Sequence, residues 1–184
     1  LISDEPYREL VYGQNFVPFL TKYYDNTIIG YSYSKSLSLP GERIGYLAIP
    51  DEAEDSENLI AACSVATRIL GFVNAPSLQQ LVIGRCIDQK TDVSAYDKNR
   101  KLLYTALTQY GFECIEPQGA FYLFVKCPIE ESKFVEKAKE YNILVVGGKS
   151  FACEGYFRIS YCVSYDMIER SLPFFKKLAE ETIK

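Results

Sequence analysis

The chain has 184 residues, of which 48% are hydrophobic and 24% are charged, and its formal net charge is −4. This mix is typical of a soluble globular protein with a sizeable core, its acidic balance argues against general nucleic-acid binding, and no apolar run approaches the roughly 20 residues that span a bilayer. The sequence contains no histidine, which excludes histidine-based catalytic triads and dyads and imidazole-bound metals.

Strand-like and helix-like segments alternate in the first half of the chain. Leu1 to Ser3 have the apolar character of the end of a buried strand, and the missing initial methionine indicates a piece of a longer protein. The apolar runs at residues 27–34 and 43–49 predict two further strands of a parallel sheet covered on both faces. A turn or short helix is predicted at residues 5–12, and helices are predicted at residues 51–70, after an acidic entry, and at residues 76–87.

The second half begins with a long predicted helix from about Asp92 to Tyr110, which Gly111 ends. Further strands are predicted at residues 112–116, 120–127, 143–146 and 156–162, and further helices at residues 131–141 and 165–183. We therefore expect a domain boundary near residue 91. Residues 1–91 would be the remainder of an α/β domain, and residues 92–184 a long connecting helix with a small α+β domain.

Four chemically distinct side chains follow the predicted strands of the first half. Asp4 and Lys35 each come after an apolar run, with Tyr7 and Arg43 close behind them in sequence, and ligands bind at the carboxyl ends of parallel strands. A desolvated lysine can lose its proton and attack a carbonyl, and an arginine can hold a phosphate. These groups suit a phosphorylated aldehyde with a basic ring nitrogen, which describes pyridoxal phosphate.

Two weaker motifs have simpler interpretations. Ser32 and Lys35 match the S-x-x-K pattern of some serine hydrolases, but the partner motifs S-D-N and K-T-G do not occur in the sequence. The run VVGGKS at residues 145–150 is similar to the end of a phosphate-binding P-loop, but Ile143 stands where the first glycine is required. This run therefore indicates a glycine turn after a strand.

One longer motif is specific. The run SYSKSLSLPGERIG, residues 32–45, closely resembles the cofactor-attachment signature of class I/II aminotransferases, the fold-type-I pyridoxal-phosphate enzymes that include aspartate aminotransferase. Three further runs resemble other segments of that family: SDEPY at residues 3–7, PQGAFYLF at residues 117–124 and YFRISYCVS at residues 156–164. The resemblance covers nearly the whole chain but only the latter half of the family's polypeptide. It implies the C-terminal part of the fold-type-I architecture, with a partial large-domain sheet and an α+β small domain.

The resemblance also implies roles around the cofactor ring. Lys35 would form the internal Schiff base and then move the proton between the substrate Cα and the cofactor. Asp4 would pair with the pyridine nitrogen and keep it protonated. Tyr7 would hydrogen-bond the phenolate oxygen of the ring.

The remaining implied roles concern the phosphate and the substrate. Ser32 and Arg43 would hold the phosphate, with Ser34 as a weaker candidate, and Arg158 would bind the substrate α-carboxylate through a bidentate fork. The loop GGKSFACEGY departs from the family's frequent P-G-x-x-F-G, because Gly147 stands where proline is usual and Ala152 where glycine is usual. The shape of that loop therefore stays open.

The implied reaction is transfer of an amino group from an amino acid to a 2-oxo acid, through lysine-bound pyridoxal phosphate and then pyridoxamine phosphate. Alternatives are another reaction on the same scaffold, such as a carbon–sulfur β-lyase or a synthase, or an inactive fragment. The family's active sites lie at a homodimer interface, which we expect of the full-length protein. The six cysteines form no C-x-x-C pair and predict reduced thiols in a cytoplasmic protein.

Overall fold

A computed structural model of the chain describes residues 1–13 and 16–183. The chain folds as two compact units, Leu1–Thr91 and Asp92–Lys184. Within the described ranges, no helix has the length and apolar character needed to cross a membrane.

The first unit is built on a three-stranded sheet in the order β1-β2-β3. Its strands are β1 (Ile2–Asp4), β2 (Ile28–Ser32) and β3 (Gly45–Ala48). The β1–β2 pair is parallel and places Asp4 opposite Gly30, whereas β2 and β3 are antiparallel. The prediction of a purely parallel sheet is therefore wrong for β3, because the chain reverses through the segment at residues 33–44 and returns along β2 rather than through a crossover.

The strands of the first unit are less covered than the sequence predicts. All four residues of β3 are exposed, Ile2 of β1 is 77% exposed, and the buried strand residue is Ile29 on β2. A parallel or mixed sheet needs layers on both faces to bury its strands, and β1 and β3 are the edges of this sheet. The expected burial of these strands on both faces is wrong for this chain.

The strand predicted at residues 27–34 stops early. The backbone leaves β2 at Ser32 and enters a short helix, α1 (Tyr33–Ser36). A 3-10 turn (Pro40–Glu42) follows and leads into β3. The close β2–β3 approach requires Gly45, because a Cβ there would lie 2.3 Å from the Tyr31 carbonyl oxygen.

Two helices complete the first unit, α2 (Ser56–Ile69) and α3 (Ser77–Cys86). The acidic stretch before α2 was predicted to be helical from residue 51, but it forms turns that end at Asp55, whose φ of 58° is left-handed. A left-handed residue cannot continue a right-handed helix, so α2 begins one residue later.

The second unit is an α+β structure. Its helices are α4 (Ser94–Gln109), α5 (Glu131–Glu140) and α6 (Tyr165–Thr182), and its strands are β4 (Tyr122–Lys126), β5 (Val146–Gly147) and β6 (Tyr156–Ser160). The sheet has the order β4-β6-β5 with antiparallel pairs. The strand predicted at residues 143–146 corresponds to β5, which is shorter and begins only at Val146.

The segment at residues 112–116 was predicted as a strand and is not one. It makes a single antiparallel bridge between Cys114 and Val125. Its apolar residue Phe112 is nevertheless buried, and its ring packs edge-on against Phe134 and Phe157, which stack at a centroid distance of 4.4 Å. The apolar pattern correctly marks a core contact, but the backbone lacks the ladder that defines a strand.

Candidate active site

Lys35 lies where β2 turns into α1. Ser32 ends the strand with extended backbone angles and caps the helix, because its hydroxyl oxygen accepts a hydrogen bond from the Ser34 N–H at 3.2 Å. The Ser32 hydroxyl also donates to the Ser34 hydroxyl at 2.8 Å. A serine cap satisfies an orphan backbone donor at the helix start, so the strand-to-helix switch follows from the sequence SYSK.

Asp4 and Tyr7 lie at the same edge of the sheet as this turn. Asp4 is the last residue of β1, and β1 runs parallel to β2, so both strands end on one side. One carboxylate oxygen of Asp4 lies 3.9 Å from the position that a Cβ on Gly30 would occupy. The Lys35 ammonium nitrogen lies 5.7 Å from the centroid of the Tyr7 ring. The structure therefore brings Lys35 and Tyr7 together, with Asp4 on the neighbouring strand end.

Arg43 follows the 3-10 turn in a left-handed conformation, with φ 50° and ψ 51°. Its guanidinium is exposed and donates a hydrogen bond to the Pro40 carbonyl oxygen at 2.9 Å. A non-glycine residue in this region costs of order 1 kcal/mol, and such residues cluster at functional sites. The structure places Arg43 on the loop after Lys35 but gives it no bond to Ser32 or Ser34.

The turn that carries Tyr7 is held by an ion pair that the motif search did not single out. The carboxylate of Glu5 accepts from the Arg8 guanidinium, with an Nε–Oε2 distance of 2.6 Å, and also from the Ser3 hydroxyl at 2.9 Å. Arg8 lies over the Phe19 ring at 3.7 Å and donates to the carbonyl oxygen of Val17. The spacing of Glu5 and Arg8, an acid and a base three residues apart, is the sequence feature from which this ion pair could have been predicted.

Arg158 belongs to the second unit, on β6 opposite Phe124. Its guanidinium carbon packs over two aromatic rings, 4.1 Å from the centroid of Tyr122 and 3.8 Å from that of Phe151. No carboxylate of the described residues forms an ion pair with it. The rings pack against the guanidinium and supply no counter-charge, so its N–H groups are the ones that can bind an anion.

The glycine turn at residues 147–155 is organised around a carboxylate. Glu131 accepts hydrogen bonds from the backbone N–H of Lys149 at 3.1 Å and of Gly155 at 2.9 Å. Within the run VVGGKS, the backbone N–H of Lys149 thus binds a carboxylate of the chain itself, in agreement with the interpretation as a simple turn.

The side chains at the sheet edge fit a pyridoxal phosphate by chemical type. The first unit offers there an amine, a carboxylate, a phenol, paired hydroxyls and a guanidinium, on Lys35, Asp4, Tyr7, the serines and Arg43. The cysteines are free thiols. In the described part of the chain, no group of three cysteine, aspartate or glutamate side chains could hold a metal ion.

Comparison with known proteins identifies the family. Residues 1–173 match the family model of aminotransferases of class I and II. The chain therefore belongs to this family, as the sequence motifs predicted.

Named relatives agree with this assignment. The chain is 28% identical to an aromatic-amino-acid aminotransferase of Thermococcus litoralis, over 98% of this chain and 49% of the relative. It is also 28% identical to an aspartate aminotransferase of Thermotoga maritima, over 94% of this chain and 45% of the relative. The chain spans about half the length of the curated relatives it matches.

A solved structure confirms the fold class. The chain superposes on an aminotransferase from Eubacterium rectale with a TM-score of 0.95 and 53% sequence identity, covering all of this chain and 46% of the other. The predicted α/β architecture, a part of the fold-type-I aminotransferase fold, is therefore correct.

Proposed function

We propose that this chain supplies the lysine-bearing part of a pyridoxal-phosphate-dependent aminotransferase, which moves an amino group from an amino acid to a 2-oxo acid. The observation that carries the proposal is the position of Lys35. Its amine lies on a short capped helix at the end of a parallel strand, beside Tyr7, inside a complete attachment signature. When bound, pyridoxal phosphate would act as an electron sink for the substrate Cα–H bond.

Three residues would act around the cofactor ring. The Lys35 Nζ would bind the cofactor covalently and later take up and return the substrate Cα proton. The Asp4 carboxylate would hold a proton on the ring nitrogen by charge pairing. The Tyr7 hydroxyl would donate a hydrogen bond to the ring oxygen and orient the ring.

The phosphate would be held by hydroxyl and guanidinium donors. Ser32 and Ser34 already present paired hydroxyls at the start of α1. Arg43 lies on the following loop, and reorientation of its exposed side chain away from the Pro40 carbonyl would add a charge-assisted bond.

Arg158 would bind the substrate α-carboxylate. The contacts with Tyr122 and Phe151 leave its N–H donors available for a planar, bidentate interaction with two carboxylate oxygens. Lysine could not replace it, because an ammonium has neither the flat faces nor the fork.

The proposal includes the setting of the reaction. Residues 1–91 would belong to the large cofactor-binding domain, and residues 92–184 would comprise the connecting helix and the small domain. The full-length enzyme would be a cytoplasmic homodimer. The chain alone is expected to be inactive, because it matches only about half of each relative.

A chimera tests the proposal. This chain would replace the matching 46% of the Eubacterium rectale aminotransferase, and the product would be loaded with pyridoxal phosphate, reduced with borohydride and digested. Mass spectrometry should place the pyridoxyl group on Lys35, and Lys35→Ala should abolish both that adduct and turnover. Exposed Lys22 provides the matched control, since Lys22→Ala should change neither. Attachment to another lysine would refute the assignment of Lys35.

The same chimera separates the alternatives. An aminotransferase releases a 2-oxo acid and accepts a second 2-oxo acid in the return half-reaction. A β-lyase instead releases pyruvate, ammonia and a thiol (or sulfide) from sulfur-containing amino acids, and it needs no second 2-oxo acid. Half-reactions with a panel of amino acids would therefore distinguish the two chemistries on the same lysine.

A further inference from the structure

Helix α1 is too short to be stable by itself. It has four residues, Tyr33–Ser36, whereas isolated helices need roughly 12 residues or more in water. The Ser32 cap holds its first turn. The position of Lys35, one residue before the end of the helix, depends on what holds the other end.

Ser36 is the anchor of that other end. It is 5% exposed, and both of its oxygens accept hydrogen bonds from distant side chains. Its carbonyl accepts from the Thr91 N–H at 3.1 Å and the Thr91 hydroxyl at 2.5 Å. Its hydroxyl oxygen accepts from the Tyr31 hydroxyl at 2.7 Å.

Tyr31 is itself held rigidly. Its ring stacks on Tyr46 at 5.1 Å between centroids and meets the edge of Tyr33 at 5.2 Å. Burial raises the pKa of the Tyr31 phenol well above its ordinary value, and the nearby Glu9 carboxylate acts in the same direction. The phenol therefore stays protonated across the physiological range and remains able to donate the hydrogen bond that Ser36 accepts.

We propose that Tyr31 and Thr91 are positioning residues, which fix the Lys35 amine by anchoring Ser36 from two sides. This inference rests on the proposed function of Lys35. Tyr31 and Thr91 both lie outside the attachment signature at residues 32–45, and Thr91 lies 55 residues after Ser36 in sequence. Without the anchor, α1 frays from its C-terminal end and the amine loses its fixed direction.

The variants remove single hydroxyls and leave the packing in place. Tyr31→Phe keeps the stacked ring but removes the donor to Ser36. Thr91→Val keeps the backbone N–H bond but removes the hydroxyl donor, and Thr91→Ser retains it. Tyr33→Phe is the matched control, because Tyr33 belongs to the same ring cluster and its hydroxyl makes no hydrogen bond within the described residues.

Two measurements test the proposal. Amide hydrogen exchange of residues 35–38 in the cofactor-free chain should become at least threefold faster in Tyr31→Phe and Thr91→Val. It should stay at the wild-type rate in Thr91→Ser and Tyr33→Phe. In the chimera, the pyridoxal phosphate concentration that half-saturates borohydride-trapped Lys35 should rise at least fivefold in the first two variants and stay within twofold in the others.

The outcomes separate this inference from the proposed function. Trapping on another lysine in the wild type would overturn both. Trapping on Lys35 with unchanged exchange and unchanged half-saturation in Tyr31→Phe and Thr91→Val would overturn the positioning role alone. Faster exchange spread over the whole first unit would also overturn it, since that result would mark general destabilisation instead of loss of one anchor.

Discussion

At the scale of single residues, Glu5 and Arg8 form the most buried ion pair of the described chain. Their side chains are 7% and 10% exposed. The guanidinium is further satisfied by the carbonyl oxygens of Val17 and Pro18 and by the face of the Phe19 ring. A buried charge is tolerated only with such partners, so this pair fixes the turn on which Tyr7 sits.

Removal of one partner should be costly. Glu5→Ala leaves the Arg8 charge buried without its counter-ion, which is expected to lower the free energy of unfolding of the first unit by about 3 kcal/mol. Urea unfolding followed by circular dichroism measures the change. The exposed Glu52 is a suitable control, and Glu52→Ala should shift stability by less than about 0.5 kcal/mol. A loss below about 1 kcal/mol for Glu5→Ala would show that water already reaches the pair.

The candidate site illustrates what a sequence can provide at this scale. The motif located Lys35 and Arg43 by residue type and spacing, and their assigned roles stay predictions. The motif did not point to Tyr31 or Thr91, because these residues act through hydrogen bonds to neighbours brought together by folding. Contacts of that kind have no fixed spacing along the chain.

At the scale of elements, the loop between β5 and β6 shows how this chain departs from its family pattern. Gly147 has φ −60°, a value that proline also adopts, but a Cβ there would lie 2.3 Å from the Glu131 carboxylate. Ala152, which stands where glycine is usual, has the left-handed angles φ 53° and ψ 30°. The Glu131 carboxylate thus occupies the space that a proline ring at position 147 would need. The left-handed backbone of Ala152 is strained.

Relief of that strain is measurable. Ala152→Gly removes a left-handed alanine that costs about 1–2 kcal/mol, less the roughly 0.4–1 kcal/mol of extra chain entropy that glycine brings to the unfolded state. We expect the free energy of unfolding of the second unit to rise by about 0.5–1 kcal/mol in urea. Ala95→Gly, at an exposed position in α4, should change it in the opposite direction. Equal losses from both substitutions would mean that residue 152 relaxes without strain.

Helices and strands were predicted more accurately where the pattern of apolar residues extends over a longer segment. The helices α4, α5 and α6 lie within about two residues of the predicted bounds, because an amphipathic pattern over several turns is hard to mistake. Short apolar runs were ambiguous. Tyr33 and Ser34 continue the pattern of β2 but are helical, since the Ser32 cap outweighs local β propensity.

At the scale of the whole molecule, the chain exposes a large apolar surface on the first unit. Helix α2 has no buried residue. We define the α2–α3 surface by its most exposed apolar side chains, Ile69, Leu70, Phe72, Leu78 and Leu81. Exposed apolar side chains in such number on neighbouring segments of the sequence are typical of a surface that another chain covers.

That surface should drive self-association of the isolated chain. Phe72 is 76% exposed, so Phe72→Lys removes apolar area and adds a charge without creating a cavity. The weight-average mass from light scattering should exceed that of one chain in the wild type and fall towards it in Phe72→Lys, with weaker fluorescence of an apolar-surface dye. Asn74→Lys adds the same charge two residues away on an exposed position but removes no apolar side chain. It should therefore leave both signals close to wild type, because the apolar side chains that drive association stay in place. A monomeric wild-type chain, or equal effects of the two lysines, would contradict association through the α2–α3 surface.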